Sequence, residues 1–192
     1  MYKTTQQIVY LSIYFALTLI LTLIPNVGLI QIGVVSINLA TLIIPLMVVH
    51  LRKLGILSGL FVGAGSFLAA IFYGKALFIY PDVSVLPRVL VGIAIYFIYE
   101  FLGKINFWKA LVLGFSSAFL NTLFVSIFLL LHNWVFPFDF FANQSVNPIK
   151  FWFILILPNI IAEPIALTIL VGLMTPLFVY FEKSRQNTII HY

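Results

Sequence analysis

Apolar residues run through almost the whole chain, and the polar ones cut it into lengths suited to a bilayer. A spanning helix needs roughly 20 predominantly apolar residues. Six stretches approach or meet that requirement: about 5–24 ("TQQIVYLSIYFALTLILTLI"), 34–50, 55–73, 85–103, 108–131 and 151–181. The breaks between them are short and carry Gly, Pro, Asn or charge, as turn segments do. The exception is 132–150, "HNWVFPFDFFANQSVNPIK", a long aromatic loop. The last stretch is too long for one straight crossing and holds Pro158, Pro164 and Pro176. It predicts a shallow lead-in before Pro158 and a kinked helix after it, because proline removes a backbone donor. The fold class expected is an all-α integral membrane protein. A single bundle of six transmembrane helices accounts for residues 1–192 as one domain.

Composition agrees with that pattern. Of 192 residues, 63% are hydrophobic and 8% charged, whereas soluble domains are near half apolar and about a quarter charged. The bilayer must therefore act as solvent. There is no cysteine, which excludes disulfides and thiolate metal sites, and the three histidines form no ligand motif. No metal or other cofactor is expected. The first apolar run carries no cleavage-like site and reads as a retained helix, not a signal peptide.

Charge placement sets orientation. With six crossings, Lys3, Arg52, Lys53, Lys104, Lys109, Lys183 and Arg185 fall on one side, and Lys75, Arg88 and Lys150 on the other. Cytoplasmic flanks carry the Lys/Arg excess, so both termini are expected inside the cell. No basic tract lies outside the helix ends, so nucleic acid is not an expected partner.

Arg88 does not fit the role of an orientation signal. It stands on the cation-poor side and inside the apolar run "SVLPRVLVGIAIYFIYEF", where a charge is costly and faces a partner, a cavity or a ligand. Helix rise of 1.5 Å per residue puts it ~6 Å below the outer end, with Asn38 at similar depth in the second helix. Asn121 lies ~20 Å above the inner end of the fifth helix. Asn159 and Glu163, one turn apart, share a face of the last. Trp152 reads as part of an outer aromatic belt just above them. The polar groups thus converge in the outer half over an almost purely apolar inner half. A channel needs polar groups through the full thickness; this arrangement reads as a pocket open to the outside.

Each of these residues also has a plainer explanation. Asn121 serves equally as interhelical glue. Asn159 suits a cap after Pro158, and Glu163 suits the positive end of that helix or an ion pair with Arg88. Asn26 reads as a turn residue after Pro25. Gly55, Gly59 and Gly63, at four-residue intervals, read as a close-packing helix face, and Ser12 and Ala16 as a weaker small-residue face. The outward aromatic loops, 72–82 and 132–141, serve either as an interfacial belt or as a lid.

"IPNVGLIQIGVVSI" (24–37), "GILSGLFVGAGS" (55–66), "SVLPRVLVG" (84–92), "SAFLNT" (117–122) and "PNIIAEPIA" (158–166) form an ordered set. In order and spacing, the chain resembles the substrate-binding S-components of energy-coupling factor (ECF) vitamin transporters, nearest the pantothenate-type branch. The resemblance implies a non-enzymatic subunit in the bacterial cell membrane that captures a vitamin on the outer face. It further implies an ECF module as partner, made of a transmembrane scaffold protein and two cytoplasmic ATPases. An Ala-xxx-Ala face on the first helix docks on the scaffold in that family; here Ser12 and Ala16 occupy those places. No phosphate-cradling glycine–lysine loop occurs in this chain, in keeping with that division of labour. Arg88, with the amides of Asn38, Asn121 and Asn159, suits a small anionic, hydroxyl-rich molecule such as pantothenate; Lys75 is the alternative cation, and Glu163 either contacts the ligand or pairs with Arg88. Aromatic loops keep riboflavin or another ring-containing vitamin open. A membrane-embedded enzyme or an assembly protein is the alternative of a different class.

Overall fold

The computed structural model describes residues 2–24, 26–32, 35–142 and 147–190. The chain begins with α1 (Tyr2–Leu23), then a small antiparallel hairpin, β1 (Leu29–Ile32) and β2 (Val35–Asn38). A 3-10 turn (Leu39–Leu42) leads into α2 (Ile43–Leu51), and a second (Arg52–Ile56) into α3 (Leu57–Tyr73). Then come α4 (Pro81–Ser84), α5 (Leu86–Leu102), α6 (Phe107–Val135), α7 (Asp139–Ala142), α8 (Pro148–Leu173) and α9 (Thr175–Ile190). Five helical stretches among the described residues are long and apolar enough to cross a membrane. One of them, Leu39–Tyr73, contains both α2 and α3.

The chain reverses between those two. Arg52 takes a left-handed φ of 53°, and a β-carbon built on Gly55 would lie 2.4 Å from the Val48 Cα, an approach impossible in one straight helix. Cross-links join neighbouring segments at both ends of the bundle. At one end the Tyr73 hydroxyl donates to the Leu23 carbonyl, joining α3 to α1, and His132 Nδ1 lies 2.6 Å from Asp82 Oδ2, joining α6 to α4. At the other, Arg52 Nε lies 3.5 Å from Glu100 Oε1. There Glu182 also accepts from the Tyr99 hydroxyl at 3.0 Å and the Ile105 N–H at 3.1 Å. Helix α2, buried from Ile43 to Val49, is the centre of the bundle. Helix α8 shows why the surroundings are apolar: Ile154, Ile161, Ile165 and Ile169 form an exposed stripe, while Trp152, Ile156, Glu163 and Leu167 face inward.

Glycines fix the α3–α5 seam. A β-carbon on Gly59 would meet the Arg88 carbonyl oxygen at 2.1 Å, and one on Gly92 the Ile56 carbonyl oxygen at 2.8 Å. Small residues let helix backbones approach this closely.

Three expectations are corrected. The second helix does not begin at 34: Val35–Asn38 is strand, so the fold is not purely α-helical. A β-branched stretch alternating with polar residues favours the pleat, and Asn38 ends it by accepting the Ala40 N–H at 3.1 Å. The last stretch does not change at Pro158. Helix α8 runs through Pro158 and Pro164 and breaks at Met174, and Pro176 falls in the first turn of α9. The carbonyl of Pro164 also accepts from the Thr168 hydroxyl one turn on, at 2.5 Å. The 132–150 stretch is not all loop, since α6 extends to Val135 and α7 follows it.

Candidate functional site

A cavity of about 370 Å³ lies in the half of the bundle that holds the end of α3 and the start of α5. Arg88, Asn121, Asn38, Asn159, Glu163 and Lys75 all line it, from five separate segments of the chain. The volume falls near the lower end of small-molecule sites, about 300–1,000 Å³.

Arg88 reaches the cavity through the geometry of its own helix. Pro87 lacks an N–H, and α4 gives way to α5 at Val85. Helical side chains point back towards the N-terminus, so the guanidinium folds over the preceding turn. Its Nη1 donates to the Ser84 carbonyl at 2.5 Å, and its Cζ sits 5.8 Å from the centroid of Phe78. The residue is only 5% exposed, and its Nε has no partner.

Glu163 is held by two donors. Thr122 Oγ1 donates to its Oε2 at 3.2 Å, and the backbone N–H of Asn38 donates to the same carboxylate. Its Oε1 has no partner. The ion pair with Arg88 that the sequence allowed is not formed, because no nitrogen of Arg88 lies within 4.0 Å of a Glu163 oxygen. The buried Asn121 amide leaves its Oδ1 unpartnered. Asn159 is half-buried on the cavity wall, and Lys75, exposed, stands at the margin with Gln31 of the hairpin.

Trp152 is a correction. It does not stand in an interfacial belt: it is buried, packs edge-on to Phe141 with centroids 6.3 Å apart, and lines the cavity with an unpartnered Nε1. Its spacing carried the signal. Trp152, Ile156, Asn159 and Glu163 follow the i, i+4, i+7, i+11 rule of one helix face, and all four line the cavity. Thr122, Ser126 and Phe78, also in the wall, were not singled out from sequence. Thr122 follows Asn121 directly, and Ser126 lies one turn beyond it.

Buried polar atoms without partners are rare in native proteins. Four of those found among the described residues, Arg88 Nε, Trp152 Nε1, Asn121 Oδ1 and Glu163 Oε1, belong to side chains of this one cavity. The wall thus offers donors and acceptors to a molecule with both. Among the described residues no cluster of three or more His, Asp or Glu side chains is placed to hold a metal ion.

Ser12 and Ala16 lie far from the cavity, exposed along α1. The Ser12 hydroxyl donates to the Ile8 carbonyl at 2.9 Å, so it is satisfied within its own helix and the face stays small and apolar. His50 is tied to the Tyr14 hydroxyl at 2.8 Å and stacks on Phe181, at the end of the bundle opposite the cavity.

No protein-family model matches the chain, and no curated protein sequence matches it.

Proposed function

We propose that this protein is the vitamin-binding S-component of an ECF-type transporter in the bacterial cell membrane, and that its vitamin is pantothenate. The observation that carries the reading is the buried Arg88 guanidinium lining a cavity together with Asn38, Asn121, Asn159, Glu163 and Lys75 from other segments. Burying an unpaired ion costs several kcal/mol. A carboxylate ligand offsets that cost and supplies the fork-shaped acceptor that Arg suits. The chain crosses the membrane six times with both termini in the cytoplasm. The alternating helix directions and the Lys/Arg excess at the far end from the cavity support this.

Riboflavin or another ring-containing vitamin is the second reading, favoured by Trp152 and Phe78 in the wall. The modest volume and the polar lining favour pantothenate. Catalysis is not part of the proposal: among the described residues lining the cavity, Glu163 is the one carboxylate and none is histidine.

Transport requires the ECF module. The α1 face of Ser12 and Ala16 meets the scaffold protein's helices, where small residues allow close approach. In cells co-expressing the module, radiolabelled pantothenate accumulates through this protein. Ser12→Leu or Ala16→Leu abolishes accumulation and co-purification while leaving vitamin affinity in detergent unchanged. Uptake and co-purification that survive both changes exclude that face.

A further inference from the structure

Among the described residues no carboxylate oxygen lies within 4.0 Å of an Arg88 nitrogen, so direct ion pairing does not fix where the guanidinium points. Two other groups hold it: the Ser84 carbonyl, which accepts from Nη1 at 2.5 Å, and the Phe78 ring, whose centroid is 5.8 Å from Cζ. Both belong to one short segment, 78–84, which runs through Tyr80 into α4. In an unbroken helix the Ser84 carbonyl would accept from the Arg88 backbone N–H. The break at Val85 leaves that carbonyl to the side chain. A single helical turn is not stable by itself, so the place of α4 is set by what it packs on. His132, near the end of α6, touches the segment twice. Its Nδ1 lies 2.6 Å from Asp82 Oδ2, and its ring centroid lies 4.3 Å from that of Tyr80. An ionised carboxylate only accepts, so Nδ1 carries the proton and donates. Between those contacts Val83, fully buried, belongs to the same apolar cluster as Leu129, one turn before His132.

Packing alone does not require a histidine here. The ring is buried among Tyr80, Phe136 and Phe138, and its Nε2 has no partner. Phenylalanine would fill the same aromatic cluster without that penalty. What the imidazole adds is the bond to Asp82. The Asp82 side chain is 44% exposed, so water can solvate it and the bond is not needed to satisfy it. The bond ties one place to another. Eleven residues before His132, on the same face of α6, Asn121 lines the cavity.

We propose that Asp82 and His132 are positioning residues for the vitamin site. Their bond fixes segment 78–84 against α6, and the Ser84 carbonyl and Phe78 ring on that segment then present the Arg88 guanidinium to a ligand carboxylate. Neither residue lines the cavity, so both act through Arg88. The inference rests on the vitamin-binding reading and adds to it the contact that orients the guanidinium.

The test titrates two probes into the detergent-purified wild type, His132→Phe, Asp82→Ala and the double variant. The probes are pantothenate, and panthenol, in which a primary alcohol replaces the carboxylate. Thermal unfolding is followed on each protein. His132→Phe unfolds no earlier than the wild type, because phenylalanine suits the cluster and Asp82 is left to water. It nevertheless weakens pantothenate about three- to thirtyfold. Panthenol lacks the group that Arg88 grips, and its affinity changes by about twofold or less. Asp82→Ala shifts pantothenate in the same direction and is less stable, since it strands Nδ1 in the cluster. The double variant recovers that stability and binds pantothenate no more weakly than the weaker single variant, as expected of one link broken twice. Unchanged pantothenate affinity in His132→Phe, equal loss of both probes, or losses that add in the double variant overturn the positioning role and leave vitamin binding standing. A wild type that binds neither probe overturns both.

Discussion

Arg88→Met is expected to weaken vitamin binding by about 2–5 kcal/mol, the cost of truncating one partner of a buried, hydrogen-bonded charge pair. That is roughly a 30-fold to several-thousand-fold loss of affinity. Methionine keeps the length and the apolar stem of the side chain, so the loss reports the guanidinium. The fold is expected to survive. What Arg88 gives the protein itself is one hydrogen bond to the Ser84 carbonyl, about 1 kcal/mol, while α5 is held to α3 by the glycine seam beneath it. Titration for affinity and thermal unfolding for stability separate the two effects. A variant that binds normally and is only less stable shows that Arg88 is structural.

Gly59→Val should damage both properties together. The added β-carbon falls 2.1 Å from the Arg88 carbonyl oxygen and 2.8 Å from the carbonyl carbon, both backbone atoms that move only if α5 moves. Overpacking of this kind typically costs 1–3 kcal/mol, and valine adds two methyl groups to the clash. Because the residue displaced is Arg88 itself, affinity falls with stability although Gly59 does not line the cavity. Gly74→Val provides the contrast in part: nothing lies within 4 Å of a β-carbon there, but its φ of 63° brings backbone strain instead of a clash. Its effect should be confined to the end of α3. Equal affinity in Gly59→Val and wild type argues that the seam does not position the guanidinium.

Much of this arrangement was legible in the chain because bilayers impose simple rules. Long apolar runs mark helices, and a charge inside one demands an explanation. Depth counted from helix rise grouped Arg88, Asn121, Asn159 and Glu163, and the four line one cavity. The glycine spacing at 59 and 63 marked a packing face, and those residues meet Arg88 and Val85. Gly55, of the same series, instead meets Met47 and Val48 inside the turn, since the helix has not yet begun there.

Two local features outweighed the simple rules. Hydropathy does not separate an apolar strand from the start of a helix, so a span beginning at 34 takes in β2 (Val35–Asn38). Asn38 still reaches the cavity, from the end of a strand. By residue type alone Trp152 reads as interfacial, because tryptophan near a helix end so often marks the interface. Its spacing to Glu163 marks the inward face. The prolines of α8 show the same lesson in reverse. In water they would end a helix, but an apolar environment penalises exposed backbone so heavily that the helix continues through both.

The central claim is that a buried guanidinium lines a vitamin site, and isothermal titration of the purified wild-type protein against a panel of water-soluble vitamins tests it most directly. One saturable ligand bearing a single carboxylate, pantothenate first among them, should bind more tightly than about 1 μM, beyond −8.2 kcal/mol. If no vitamin in the panel binds that tightly, the account is contradicted.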